Sequence, residues 1–322
     1  LEEKTLKKRI VIDGDSNWDM MYWTDRFKIF FTMVAREFDF DITSMDTYES
    51  IKGVTKNVDF IFGFAWEQRY SKAMEAAITL DKRKTLILYM HDIHWAYELR
   101  KEGTTRLLQR ADLILVPYYG YFKRMWPQFA KKTILFPHFF APRDRYSRFK
   151  YNKNPKMKCL LTGNIKPDRY PIRQVVTEAV MNDGELKDLV DILRHPRHAK
   201  TQYWTREDGG GVKEYPKTIN EYFCAVTDSS MWNLLLTKYF EIPASGALLL
   251  ADKPEDGKYV GLIPWKHYVP VTEENVVPQI KHCLENPEKY EKIRREGMEF
   301  VRKYHSVDNR FIQFGKILES VL

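Results

Sequence analysis

Short apolar runs alternate with helical patterns along the first half of the chain, which predicts a doubly wound α/β domain on a parallel sheet. Arg9 to Asp13 reads as an opening strand and runs into the turn Gly14-Asp15-Ser16-Asn17. Val58 to Phe64, Thr85 to Met90 and Leu113 to Val116 are further apolar segments bounded by charged or turn residues, as buried parallel strands are. Four strands of one sheet are expected from them. Between them, Arg69 to Thr79 and Trp95 to Arg110 place apolar residues at helical spacing with charges on the other face. The pattern breaks at Pro137 to Pro155, a run dense in Phe, Tyr, Arg, Lys and Pro, which marks a domain junction. A second series follows: Met157 to Thr162, Asp188 to Leu193, Tyr222 to Thr227, Ala247 to Ala251 and His267 to Pro270 as strands, then a charged helical ending from Asn286 to Leu322.

Length agrees with this division. The 322 residues are about twice an ordinary domain, and the expected boundaries are 1–150 for a Rossmann-like first domain and 151–304 for a second. Two such sheets facing one another leave a cleft, and ligands of such sheets lie at the carboxyl ends of the strands.

Composition narrows the class. An apolar share of 44% and a charged share of 30% are ordinary for a globular protein, and no run approaches the roughly 20 apolar residues of a spanning helix. Leu1 to Arg9 is charged and lacks a cleavage-site pattern, so a cytoplasmic location is expected. Cys159, Cys224 and Cys283 are odd in number and far apart, which predicts buried thiols in a reducing compartment. The net charge of +8 is uneven: Lys123 to Lys158 holds eleven Lys or Arg against the single acid Asp144. That segment is either a solvated face or an attraction for an anionic surface or nucleic acid.

The densest chemistry lies in Thr237 to Asp252 (TKYFEIPASGALLLAD). Thr237 is placed to cap a short helix, Pro243 keeps it short, and Gly246 can end it in a left-handed conformation before an apolar run enters the sheet. A helix N-terminus with Lys238 in its first turn would offer N–H groups and a cation to a diphosphate. Glu241 sits one turn along, either facing a nucleotide or as a surface carboxylate.

This segment resembles the nucleotide-binding segment of GT-B glycosyltransferases, in particular the group-1 transferases similar to the spore-maturation CgeB proteins. Leu161-Thr162-Gly163-Asn164 followed by Tyr170-Pro171-Ile172-Arg173 resembles the strand, glycine turn and YPxR run that open the family's second domain. Leu193-Arg194-His195-Pro196 resembles its HP element, and Gly261, His267 to Val271, Leu284 to Pro287 and His305 to Arg310 follow its closing order. The resemblance covers most of 157–315. It implies a GT-B fold with a last helix, 305–322, packed back on the first domain, and transfer of a sugar from a nucleotide-sugar donor to a glycan or other hydroxyl acceptor. It also implies no cofactor and no metal for the diphosphate.

By the resemblance Glu241 accepts hydrogen bonds from the ribose hydroxyls, a role that suits a pure acceptor. Lys238, Thr237 and the Ser229-Ser230 turn lie near the diphosphate, whose charge grows as it leaves. Gly163 lets phosphate approach the first strand and Arg173 can bind it bidentately, with a surface or interdomain salt bridge as the alternative for Arg173. Related retaining transferases often carry a second glutamate eight positions before the ribose-binding one; this chain has Asn233 there, so stereochemistry stays open. In the first domain Gly14 approaches donor and acceptor, and His91 or Asp92 contacts the sugar or acts as base. Asp13 and Asp15 are alternative bases, although turn capping is the commoner role of Asp in such loops. A metal at His91-Asp92-Ile93-His94 is not expected. Two rival functions remain: the same chemistry directed at modified DNA bases, for which the basic segment speaks, and a non-catalytic GT-B-like binding or structural protein, for which Asn233 speaks.

Overall fold

A computed structural model describes residues 9–13, 25–44, 60–65, 82–91, 93, 104–140, 150–166, 168–194 and 210–321. The chain divides into two compact units, Leu1–Pro137 and His138–Leu322. The division falls at the start of the irregular stretch that the sequence marks as a junction. No described helix is long and apolar enough to cross a membrane.

The first unit holds a parallel sheet of six described strands in the order β2-β1-β3-β4-β5-β6. These are β1 (Arg9–Asp13), β2 (Phe40–Ser44), β3 (Phe60–Ala65), β4 (Thr85–Met90), β5 (Leu113–Val116) and β6 (Thr133–Leu135). Two of them, β2 and β6, are additions to the four expected. β2 follows helix α1 (Asp25–Phe38) after one residue, because Asp39 takes a left-handed φ of 55° that a short polar side chain tolerates. β6 is three residues long at the sheet edge, too short to show a period. Five of the six residues of β4 are buried, which accounts for its unbroken apolar run. The helical stretches expected at 69–79 and over most of 95–110 lie outside the described residues, of which 104–110 is helical.

The second unit repeats the plan with five described parallel strands in the order β11-β10-β9-β7-β8. They are β7 (Lys156–Gly163), β8 (Val190–Arg194), β9 (Tyr222–Val226), β10 (Leu248–Ala251) and β11 (Val269–Pro270). β8 starts two residues later than expected, since Asp183 accepts hydrogen bonds from the Glu185 and Leu186 amides and draws Gly184–Leu189 into a short helix. Every residue of β9 and β10 is buried. Cys159, Cys224 and Cys283 are buried free thiols in this core, as expected.

In strand-number terms the first sheet runs 2-1-3-4-5-6 and the second 2-1-3-4-5, so each has a point where the chain order reverses. In the second unit it lies between β7 and β9. Ligand crevices of open parallel sheets open at such a point, beyond the strands' carboxyl ends. Those ends are Gly163 and Val226, and the segments after them carry Asn164, Thr227, Asp228, Ser229 and Ser230.

The charged ending is helical as expected, but it is two helices, α2 (Pro287–Tyr304) and α3 (Val307–Val321). The break has a local cause. Ser306 and Asn309 form a reciprocal cap, with the Asn309 amide donating to Ser306 Oγ and the Ser306 amide to Asn309 Oδ1. Arg310 Nη2 donates to His305 Nδ1 at 2.6 Å, so Nε2 carries the proton and donates to the Val260 carbonyl at 3.0 Å. Burial, followed by the Arg310 charge, pushes His305 down to about 3. A depressed folded-state value favours the neutral ring, so its contribution is complete above the unfolded value near 6.5 and is lost as pH falls toward 3. We predict that the unfolding free energy of the wild type, from urea melts, falls more steeply between pH 6.5 and pH 4 than that of His305→Gln, by up to about 1.4 kcal/mol per pH unit. Parallel curves would contradict this.

Candidate functional site at the carboxyl end of the central strand

Gly163 ends β7 with φ of 110°, a conformation that side-chain-bearing residues rarely adopt. Above it two cationic side chains converge. A methyl group on Gly163 would lie 3.1 Å from Arg173 Nη1, 3.4 Å from Lys238 Nζ and 2.6 Å from Lys238 Cε. Glycine is therefore required for both side chains to cover the strand end. Two cationic side chains thus meet at the sheet's reversal point.

Arg173 lies in the first turn of α4 (Pro171–Asn182), which starts with proline where an N–H has no helical partner. Its side chain is 2% exposed. Nη1 donates to the Asn164 carbonyl at 3.1 Å, Nη2 to Thr227 Oγ1 at 2.8 Å, and Nε faces Asp228 Oδ1 at 3.3 Å. The Arg173 amide also donates to Asp228 Oδ2, and the guanidinium stands 4.1 Å from the centre of the Tyr170 ring. The salt-bridge alternative for Arg173 is thus realised, though as a buried pair within the second unit rather than on the surface or between domains. Burial pushes the Asp228 carboxyl above its ordinary range, while the Arg173 charge and backbone N–H groups pull it back. The guanidinium ties the turn after β7 to the turn after β9.

Lys238 opens α5 (Lys238–Ser245), a short helix containing Pro243 and closed by Gly246 in the left-handed conformation, as the sequence predicts. The expected N-terminus is corrected in two respects. Thr237 makes no side-chain cap, because it has helical dihedrals of −53° and −32° rather than the extended ones a capping side chain needs. Three of the first-turn amides are also already spent: Tyr239 donates to the Leu236 carbonyl, and Phe240 and Glu241 to that of Thr237. The Lys238 side chain extends from this first turn. Nζ is 2.6 Å from the hydroxyl oxygen of Tyr215, which lies 3.1 Å from Thr162 Oγ1. Glu241, half-buried, stands one turn further and acts electrostatically on Tyr215.

Ser229 and Ser230 follow Asp228, and both are buried. The Ser229 amide donates to Asp252 Oδ1 at 2.7 Å, its hydroxyl to Asp252 Oδ2, and Tyr239 OH to Asp252 Oδ1 at 2.6 Å. Ser230 has φ of 66° and its amide faces Asp228 Oδ1 at 3.4 Å. These serines stiffen the floor of the site. Asn233, also at positive φ, accepts from the Glu255 amide at 3.0 Å. Sequence reasoning missed Tyr215, Thr227, Asp228 and Asp252. The signal for three of them is a polar residue directly after an apolar strand.

In the first unit His91 follows β4 at its carboxyl end, buried, with its ring edge-on to Tyr89. Gly14, Asp15, Asp92 and His94 lie outside the described residues, as does the side chain of Asp13. Among the described residues no group of three His, Cys, Asp or Glu is placed to hold a metal.

Comparison with solved structures decides what fold carries this site. An α-glucosyltransferase solved with UDP-glucose and DNA containing an abasic site aligns with a TM-score of 0.64 at 12% identity, over 97% of this chain and 99% of that one. HepE of Anabaena, solved with UDP, aligns with a TM-score of 0.60 at 11% identity, over 97% and 100%. The chain has the GT-B fold. The pneumococcal O-GlcNAc transferase GtfA, solved with UDP and GlcNAc, aligns over 85% of this GT-B chain and 59% of its own length, with a TM-score of 0.53 and 14% identity. A family model described as glycosyl transferase-like matches residues 185–315. That span includes Tyr215, Lys238 and Glu241 but neither Gly163 nor Arg173. No curated protein sequence matches the chain.

Within this GT-B chain the Arg173–Asp228 pair has an energetic consequence. Removing one member of a buried pair strands the other charge at a cost of about 3–5 kcal/mol, whereas removing both charges costs far less. We predict that Arg173→Met lowers stability in urea by about 3–5 kcal/mol and that Arg173→Met with Asp228→Asn recovers most of the loss. Equal destabilisation in the single and double variants would contradict the pairing.

Proposed function

We propose that this protein is a glycosyltransferase that takes a sugar from a nucleotide-sugar donor, with UDP as nucleotide, and transfers it to a hydroxyl acceptor without a metal. The observation that carries this reading is the convergence of Lys238 and Arg173 over Gly163 at the reversal point of the second sheet. The glycosyl transferase-like match over 185–315 and the UDP in the similar structures support it. Breaking the bond between sugar and diphosphate leaves a negative charge on the diphosphate, which Lys238 is placed to stabilise in a partly dry site. Arg173, bound to Asp228, contributes mainly by holding the turn from Gly163 to Asn164 against β9. Glu241 lies one helical turn from Lys238, at a spacing that suits ribose hydroxyls. His91 or Asp92, with Asp15 and Gly14, supplies the base and acceptor side in this reading. Buried free thiols fit a cytoplasmic location.

A second reading keeps the chemistry and makes a DNA base the acceptor. It rests on the DNA in one similar structure and on exposed Lys123, Arg124 and Lys131. Within the basic segment, however, Lys132 is bound to the carbonyls of Gln109 and Ala111, Lys156 to Glu221 and Lys158 to Asp191. Those contacts spend part of the charge on the fold, so we favour a glycan or other small hydroxyl acceptor.

The test is a donor panel with detection of released nucleotide, run with chelator and with glycan and hydroxymethylated-DNA acceptors. We predict that a UDP-sugar is consumed in EDTA. Binding of UDP-sugars, seen as a raised melting temperature without consumption, would favour a non-catalytic protein. Loss of turnover in EDTA with recovery on Mg²⁺ or Mn²⁺ would overturn metal independence.

A further inference from the structure

Lys238 has four rotatable side-chain bonds, and a cation that is to act on a leaving diphosphate must be held in place before the charge develops. The element that holds it comes from elsewhere in the chain. Tyr215 lies in α6 (Gly210–Asn220), immediately before Pro216, which the helix carries in its interior. Its hydroxyl oxygen stands 2.6 Å from Lys238 Nζ and 3.1 Å from Thr162 Oγ1 on β7, the residue before Gly163. An ammonium group can only donate, so the phenol oxygen accepts from Lys238 and its own proton can serve Thr162. Three elements are thereby joined at one oxygen: the central strand, a helix without any phosphate-binding pattern, and the helix of Lys238.

We propose that Tyr215 is a positioning residue for the anion site: it fixes Lys238 Nζ over Gly163, with Thr162 holding the phenol in turn. This deepens the donor-site reading above and rests on it for the identity of the anion. The phenol suits the task because it stays neutral. Burial first, and then the negative charge of Glu241, push its proton affinity up, so Tyr215 holds the ammonium without cancelling its charge. A carboxylate in the same place would neutralise Lys238 and repel the diphosphate. The hydroxyl carries this role: Nζ is 4.9 Å from the ring centre and far closer to the oxygen, so a Phe ring alone would not reproduce the contact.

The test is a double-mutant cycle on two readouts with the full chain. Inorganic pyrophosphate binding, by calorimetry, reports on the anion site whatever the donor; UDP-sugar consumption reports on the transferase reading. We expect Tyr215→Phe to weaken pyrophosphate binding about five- to tenfold and to have no further effect in a Lys238→Met background. We expect kcat for the consumed donor to fall about tenfold in Tyr215→Phe, more than KM changes, because the charge on the diphosphate is largest in the transition state. Thr162→Val should give a smaller loss in the same direction and covers the case in which Tyr215→Phe fails to fold. Pyrophosphate affinity equal in wild type and Tyr215→Phe, a loss that persists in full without Lys238, or no pyrophosphate binding by the wild type would each overturn the inference. A cycle that holds for pyrophosphate while no nucleotide sugar binds would uphold Tyr215 and refute the donor reading instead.

Discussion

The second unit depends on one buried ion pair. Arg173 and Asp228 lie on opposite sides of the reversal point, one in the first turn of the helix after β7 and the other just past the end of β9. Two charges this deep are costly to desolvate, and the cost is offset by their mutual attraction and by further bonds: the guanidinium reaches the Asn164 carbonyl and Thr227, and the carboxylate takes the Arg173 amide. What the pair achieves is specificity of shape. It fixes the turn after Gly163 against the turn after β9, and the Ser229–Asp252–Tyr239 contacts extend the same rigidity to β10 and the Lys238 helix. In the proposed donor site that rigidity preorganises the groups around the diphosphate.

Cation roles are consequently divided. Both Arg173 and Lys238 come close to the point above Gly163, yet Arg173 is enclosed by protein acceptors while Lys238 is half-buried and held by a neutral phenol. The enclosed guanidinium serves as framework, and in the proposed donor site the lysine is the charge that faces the ligand.

Strand content was legible wherever burial made a run uniformly apolar. Arg9–Asp13, Thr85–Met90 and Leu113–Val116 are placed as read, and β9 and β10 differ from their expected ranges by one residue each. β2 and β6 were hidden because one follows a helix across the single residue Asp39 and the other is three residues long. For the candidate site, Lys238 and Glu241 could be named from the short helix before Gly246, and Gly163 and Arg173 from the resemblance of their strand, glycine turn and YPxR run. The cap at Thr237 was misjudged because capping depends on dihedrals, which residue type only biases. Tyr215 could not be found by spacing, since it reaches the site through tertiary packing from a helix without a pattern of its own. Asp228 was within reach: TDSS directly after the buried YFCAV strand is a polar run where polar groups are expensive.

The measurement that bears most directly on a diphosphate cradle at the end of the central strand is a crystal structure of the protein with UDP. The account predicts diphosphate oxygens within hydrogen-bond distance of Lys238 Nζ, above Gly163, with Glu241 at the ribose hydroxyls and the Arg173–Asp228 pair unchanged. UDP bound elsewhere on the protein, or held at this strand end with Lys238 turned away, would contradict it.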